Sequence, residues 1–441
     1  MKSKVAQYIQ SRAGKADNYN LYYKAVEIDP YILPAGEAKK RTEDFFNSIV
    51  LPKYQKKITK IKNKLSDFFI LAANLFSSSK EKPLIIDMNQ NFYDHNTALT
   101  RFTIFIIRTL LDEGYIELKK GFFDYEGKSS FRSRIWATEK LQQELFYLAS
   151  PQGFLITDAS PLIVMRDSKD KKDISFSKSK ISISLEKDVR HINSVNKRFI
   201  VSYLDESINK DVKLSTDLHR VFNDTLDYGG RFYTKGANGY QQLRAEDRQN
   251  IRINGNKTVE LDYSGLHPHL LYAEVGLQLT EDPYEAIMSN YNNIPQCNYK
   301  DVRGFAKIAL LALLNCKNEI EMVKACNYEL FKNHYLHETL QKYGVTAKGI
   351  LDIFKKAHQP IEHFFCSGKG LKLMRLDSQI ALEVMLHFAN MKQACLCIHD
   401  SFIVEEKNRD VLQAVMADCY QKISASISPD KKLYFCPIKT G

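Results

Sequence analysis

Residues 257 to 276, KTVELDYSGLHPHLLYAEVG, constrain the fold more than any other stretch of the chain. Val259 and Leu261 alternate with Thr258 and Glu260, a period-two pattern that predicts a strand with one face on a core. The pattern changes at Ser264: Pro268 is tolerated in a first helical turn, Leu270, Leu271 and Ala273 supply an apolar stripe, and Gly276 suits a C-terminal cap. Asp262 therefore falls at a strand-to-helix corner, a place rigid enough to hold a metal ion. An aspartate before a helix is more often only a cap. A second carboxylate in a similar setting changes the balance.

That second carboxylate lies in ACLCIHDSFIVEE, residues 394 to 406. Cys395 to Ile398 and Phe402 to Val404 are short apolar runs, and His399-Asp400-Ser401 separates them, which predicts a tight hairpin with Asp400 at its tip. Two carboxylates on adjacent rigid elements can hold a pair of divalent ions roughly 3.5 to 4 Å apart, the arrangement that activates a hydroxyl and stabilises a leaving pyrophosphate in phosphoryl transfer. Nothing local brings positions 262 and 400 together.

At 441 residues the chain has room for two or three domains, and 63 basic against 52 acidic side chains give a formal charge of +11. The excess favours a polyanionic partner, nucleic acid above all. All eight cysteines fall between Cys297 and Cys436 without the spacing of a zinc site, which predicts a reduced, cytoplasmic protein. The start, MKSKVAQYIQSRAGK, lacks the apolar run of a signal peptide, and no run of about 18 apolar residues occurs, so no membrane role is expected.

Residues 1–60 read as a basic, helical N-terminal segment that includes YQKKITKIKNKL. In 61–150, Phe102, Phe105, Ile106, Thr109 and Leu110 recur at helical spacing up to Gly114, where the helix should stop. Tyr115 to Leu118 then reads as a strand, KKGFFDYEGKSS as a basic hairpin loop and Phe131 to Ala137 as the returning strand. Helix, strand, basic wing and strand is the order of a winged helix, and the segments ending in EGYI and RSRIWAT resemble that family. The resemblance implies DNA binding, with Arg101, Arg108, Lys119, Lys120, Lys128, Arg132 and Arg134 as phosphate contacts.

From 151 to 441 the composition shifts. FLITDASPLIVMRDSKDKKDISF predicts a strand, a charged turn and a second strand, while HINSVNKRFIVSYLDES and LSTDLHRVFNDTL read as helical. Gly229 and Gly230 permit a sharp bend, and Arg231, Gln241, Gln242, Arg244 and Arg248 follow as polar hands.

The ordered series GGRFY, YQQLRAEDR, VELDYSGLHPHLL, VRGFAKIALLALLN and IHDSFIVEE, over roughly residues 225 to 410, resembles the palm and fingers of family A DNA polymerases and single-subunit phage-type RNA polymerases. The resemblance implies an α+β right-hand fold: an antiparallel palm sheet, helical fingers and a reduced thumb, preceded by the winged helix-turn-helix domain. It implies two Mg2+ ions, with Mn2+ able to substitute, on Asp262 and Asp400, and the backbone carbonyl of Tyr263 as an added ligand. Arg303 and Lys307, four apart on one helical face, are implied to grip a nucleoside triphosphate, with Lys307 also a proton donor to pyrophosphate. Arg231 and His399 are implied at the primer end, and Gln241, Arg248 and Gln379 along primer or template. The chain departs from the family at two nucleotide-binding positions: Asn315 stands where the fingers helix carries tyrosine, and His267 where DNA polymerases place glutamate.

These readings predict a DNA-directed nucleotidyltransferase that extends a primer 3′ hydroxyl on a DNA template. The HDSF form, closer to the RNA polymerases, keeps an RNA polymerase or primase that starts chains unaided as the alternative. A DNA-binding replication initiator or regulator without catalysis is the rival of another class.

Overall fold

The computed structural model describes residues 25–54, 61–94, 98–124, 129–149, 153–157, 160–169, 171–205, 210–236, 239–291, 299–332 and 334–440. Much of the basic N-terminal segment, Glu126 and Lys128 of the expected wing, and Cys297 lie outside the described residues. The chain divides into two compact units: Met1–Ser160 with Val201–Asp217 and Lys235–Arg244, and Pro161–Ile200 with Leu218–Thr234 and Ala245–Gly441.

In the first unit, strands β1 (Val26–Glu27) and β2 (Ile32–Pro34) precede helices α1 (Gly36–Phe45) and α2 (Ile61–Leu75). Strand β3 (Leu84–Ile86), helix α3 (Phe102–Asp112), β4 (Ile116–Lys119), a small hairpin of β5 (Phe122–Asp124) and β6 (Ser129–Phe131), then β7 (Ser133–Ala137) follow. Helix α4 (Glu139–Glu144) and strand β8 (Phe154–Ile156) come next, and later chain adds the hairpin β11 (Val201–Asp205) and β12 (Lys210–Lys213). The main sheet runs β1-β3-β7-β4, with Ile116 opposite Ala137 and Leu84 opposite Ile135. Gly114, at φ +71, ends α3 as its position suggests. Phe68, Leu71, Leu75, Ile106, Ile107, Leu110 and Ile135 form the centre of a core between helices and sheet. The basic loop expected between β4 and β7 is itself the two-stranded hairpin β5–β6.

The second unit opens with β9 (Ile163–Arg166), β10 (Asp173–Ile174) and α5 (Lys180–Asn196), a helix started by a capping box between Ser179 and Ser182. Strands β13 (Leu218–Asn223) and β14 (Thr225–Thr234) complete a sheet in the order β10-β9-β13-β14. The segment LSTDLHRVFNDTL, read as helical, is thus largely strand, and VSYLD is the strand β11. In β13, Leu218, Val221 and Phe222 are buried, and pairing on both edges with β9 and β14 overrides local helical spacing. The interval from 155 to 225 contributes β9, β10, α5 and β13 to this unit.

After α6 (Ala245–Arg248) and β15 (Ile251–Ile253) comes β16 (Asn256–Tyr263), then α7 (Leu266–Glu274), α8 (Glu285–Asn290) and α9 (Tyr299–Asn315). Helices α10 (Glu319–Lys332), α11 (His334–Lys342), α12 (Ala347–Ala357) and the long α13 (Gly370–Asn390) follow. The chain closes with β17 (Leu396–Ile398), β18 (Ser401–Glu405), α14 (Arg409–Ile427) and β19 (Ile438–Thr440). Within this unit β15, β16, β18 and β17 are neighbours in that order, all antiparallel, and β19 pairs with the end of β16. The fold is α+β with largely antiparallel sheets, as the resemblance implies. No helix among the described residues is long and apolar enough to cross a membrane.

Candidate active site

The site is built on β16. Val259, Leu261 and Tyr263 point into the core, so Glu260 and Asp262 share the opposite face. The Tyr263 hydroxyl is spent in that core, donating to the Met416 carbonyl at 2.6 Å, so only its backbone belongs to the site. Asp262 lies opposite Ser401 of β18 on one edge and Lys439 of β19 on the other. Ile398 pairs with Ser401 across a two-residue turn, His399 and Asp400, with His399 at φ +58. That turn brings Asp400 beside Asp262: the amide of Tyr263 donates to the Asp400 carbonyl, and the Asp400 charge acts on the Asp262 carboxyl.

Helix α9 supplies the facing wall. Val302, Phe305, Ala306, Ala309 and Leu313 are buried on one side, leaving Arg303, Lys307 and Leu311 at helical spacing on the other. A cleft of about 310 Å³ is lined by Arg231, Asp262, Tyr263, His267, Tyr284, Arg303, Lys307, Leu311, Asp400 and Lys439. Of the residues singled out in the sequence, it brings together both aspartates, both α9 cations, Arg231, His267 and the backbone of Tyr263.

The electrostatics follow from this crowding. Burial first, then the neighbouring Asp400 charge, push the Asp262 carboxyl up to about 6, against a partial offset from Lys439, whose Nζ lies 3.5 Å from Asp262 Oδ2. Lys307 is held below the usual lysine range by burial and by Arg303 and Lys439. Arg303 is ion-paired with Asp282 and lies 4.9 Å from the centre of the Tyr284 ring. Among the described residues no group of three or more His, Cys, Asp or Glu forms a metal cluster. The oxygen-only pair Asp262 and Asp400 nevertheless fits a hard divalent ion, because the repulsion that lifts the Asp262 carboxyl is what a bound cation cancels.

A pH dependence follows for the metal-free protein. A carboxyl with a folded pKa near 6 and an unfolded value near 4 lends stability fully below about pH 4 and loses it as pH rises through 6. Asp262→Asn should therefore stabilise the fold by about 1 to 2 kcal/mol at pH 8, discounted from the full shift for partial solvent access, with no gain at pH 4. Urea unfolding at the two pH values measures it, and equal effects at both would contradict this electrostatic account.

Other expected site residues lie elsewhere. Arg248 makes a two-pronged ion pair with Glu260, Nε to Oε2 and Nη2 to Oε1 both at 2.9 Å, and Ser401 Oγ donates to the same carboxylate. Gln379 is occupied along its own helix by Arg375 and Glu383. Asn315, at the end of α9, donates to the Leu311 carbonyl and does not line the cleft. His399 packs edge-on to Tyr233, its ring pushed by burial and the Arg231 charge toward the neutral form. Gln241 belongs to the first unit.

In that first unit Arg101, Arg108, Lys119 and Lys120 are exposed, and Arg108, Lys120 and Arg132 border a groove of about 640 Å³ with the stacked rings of Phe122 and Phe131. Arg132 is ion-paired with Glu27. Arg134, expected at the surface, is 4% exposed and donates to the carbonyls of Arg132 and Ser133. It sits on β7, paired on both edges by β3 and β4, so it is a structural arginine and no phosphate contact.

Sequence reasoning missed Asp282 and Tyr284, which engage Arg303, and Lys439, which faces Asp262. It also passed over Asp377. This residue falls on the apolar stripe of α13 with Leu373, Ile380, Ala381 and Val384, and that position was the available signal, since a carboxylate there must be buried and must find a partner.

No protein-family model matches the chain, and no curated protein matches it. Among solved structures, the POL domain of Pol1 from M. smegmatis in complex with DNA primer-template and dNTP is similar at a TM-score of 0.27 and 10% identity. The similarity covers 92% of this chain, which spans 65% of the length of that one.

Proposed function

We propose that the protein is a template-dependent nucleotidyltransferase that adds nucleotides to a primer 3′ hydroxyl on DNA. One observation carries this reading: two carboxylates and two helix-borne cations, drawn from separate segments of the chain, face one another across a single cleft. Asp262 and Asp400 would hold the divalent ions. Magnesium bound there supplies charge that lowers the pKa of the attacking hydroxyl and stabilises the departing pyrophosphate.

The remaining work belongs to side chains of the chain itself. The hydroxyl oxygen bonds to the α-phosphorus as the bond to pyrophosphate breaks, and the hydroxyl proton leaves to solvent. Arg303 and Lys307 bind the triphosphate, and Lys307, with its pKa lowered by burial and neighbouring cations, gives a proton to the pyrophosphate. Leu311, half exposed in the same cleft, offers an apolar surface to the incoming base. Arg231 and His399 orient the primer end. The first unit acts as a winged helix that grips duplex DNA through Arg108, Lys119 and Lys120, a reading supported by the β3, α3, β4, wing, β7 order and its exposed cations.

The test is incubation of the protein with primed or unprimed DNA template, magnesium and either deoxyribonucleotides or ribonucleotides. Extension of the primed template alone is expected. Products on unprimed template would replace primer extension with unaided initiation, and no incorporation under any condition would leave a DNA-binding protein without catalysis.

A further inference from the structure

Asp377 is 1% exposed in the middle of α13, where the side chains one turn before and after it, Leu373 and Ala381, are core. A carboxylate at such a depth costs several kcal/mol unless it is paired and hydrogen-bonded. It is paired twice. Arg231 reaches it through Nε at 3.1 Å and Nη2 at 2.5 Å, and His267 through Nε2 at 2.8 Å. Burial works against ionisation, but the His267 hydrogen bond and the Arg231 charge overcome it and hold the carboxyl below its ordinary range.

The chain bends to make these contacts. Gly230 is the extra residue of a bulge in β14, between the pairs Val221 with Arg231 and Phe222 with Gly229. It has φ +86, and a Cβ there would lie 2.6 Å from the Phe222 ring and 3.0 Å from Ser378 Oγ, so only glycine lets β14 approach α13 this closely. His267 enters from the other side, in the first turn of α7 after Gly265 at φ +70. Both partners line the cleft, and Asp377 does not.

We propose that Asp377 is a positioning residue that fixes Arg231 and His267 at the wall of the cleft, setting the angle of the guanidinium and the tautomer of the imidazole. The inference rests on the reading of the cleft as a nucleotidyl-transfer site. An ionised carboxylate only accepts, so the His267 Nε2 carries the proton that faces Asp377. Stability alone does not call for this arrangement, since buried ion pairs give way to packed apolar groups at little cost. A shared anchor, by contrast, makes two cleft residues move as one.

Asp377→Asn and Asp377→Glu in the full chain test it, with thermal melting to confirm folding and nitrogen-15 NMR of the His267 ring alongside primer extension. In the wild-type ring Nε2 should carry a proton hydrogen-bonded to Asp377, and Asp377→Asn should weaken that preference. Incorporation should fall about 100-fold in Asp377→Asn, as expected when reacting groups are misplaced by an ångström or so. Asp377→Glu, which keeps the charge but moves it by one methylene, should not restore it. In an Arg231→Gln, His267→Asn background, Asp377→Asn should cost nothing more. Folded Asp377→Asn with wild-type incorporation and an unchanged ring tautomer would overturn the proposal, as would full rescue by Asp377→Glu. A wild type that incorporates nothing would sink the polymerase reading, and the ring tautomer would still decide whether Asp377 sets His267.

Discussion

Asp262→Asn and Asp400→Asn should each lower nucleotide incorporation by at least about 1,000-fold, while affinity for primed DNA should stay within a few fold of wild type. The size follows from the roughly 4 kcal/mol or more of transition-state stabilisation that a divalent ion supplies in phosphoryl transfer. Asparagine keeps the shape of each side chain and the β16–β18 pairing but removes the charge that holds the ion. Single-turnover extension of a labelled primer and a filter-binding titration measure the two quantities side by side. The same Asp262→Asn protein should be more stable than wild type at pH 8, because the burial and Asp400 repulsion that push this carboxyl up to about 6 are relieved. Loss of activity with gain of stability separates a functional strain from simple misfolding.

Arg303 and Asp282 should give opposite effects on nucleotide affinity. On the proposed reading, Arg303→Ala removes a charge-assisted contact to the triphosphate, worth roughly 1.5 to 3 kcal/mol, so KM for the nucleotide should rise about 10- to 100-fold with a smaller change in kcat. In the free protein this guanidinium is already ion-paired with Asp282 and stacked near Tyr284. A triphosphate bound at Arg303 would therefore have to displace a carboxylate that, against burial, the Arg303 hydrogen bond holds below its usual range. Asp282→Asn weakens that competitor, and KM should fall several-fold. Steady-state kinetics over a nucleotide series measures both; a rise in KM for both variants would mean that Asp282 orients Arg303 for binding and does not compete with the ligand.

Local pattern made the centre of the site legible. The alternation through Thr258, Val259, Glu260 and Leu261 is strand β16 as observed, the His399-Asp400 turn is a two-residue hairpin, and Arg303 and Lys307 share the open face of α9 because Val302, Phe305, Ala306 and Ala309 pack the opposite one. What failed was everything set by long-range pairing. Leu218 to Asn223 reads as helix by spacing but is held as strand by neighbours on both edges. Arg134 reads as a surface cation because arginine is rarely buried, yet the middle strand of a sheet leaves it no route to solvent. Lys439 sits on a strand of three residues, too short to carry a periodic signal, and only its pairing with β16 sets it opposite Asp262. Asp282 acts on Arg303 across 21 positions of chain, a partnership no local window shows.

The proposal that Asp262 and Asp400 share a cation is tested most directly by electron paramagnetic resonance of Mn2+ added to the protein with primed template and a non-hydrolysable nucleotide. Wild type should remove Mn2+ from the free pool, and Asp262→Asn and Asp400→Asn should each leave most of it in solution. Equal binding by all three proteins would show that these carboxylates do not hold the metal, and the assignment of the cleft would fall with them.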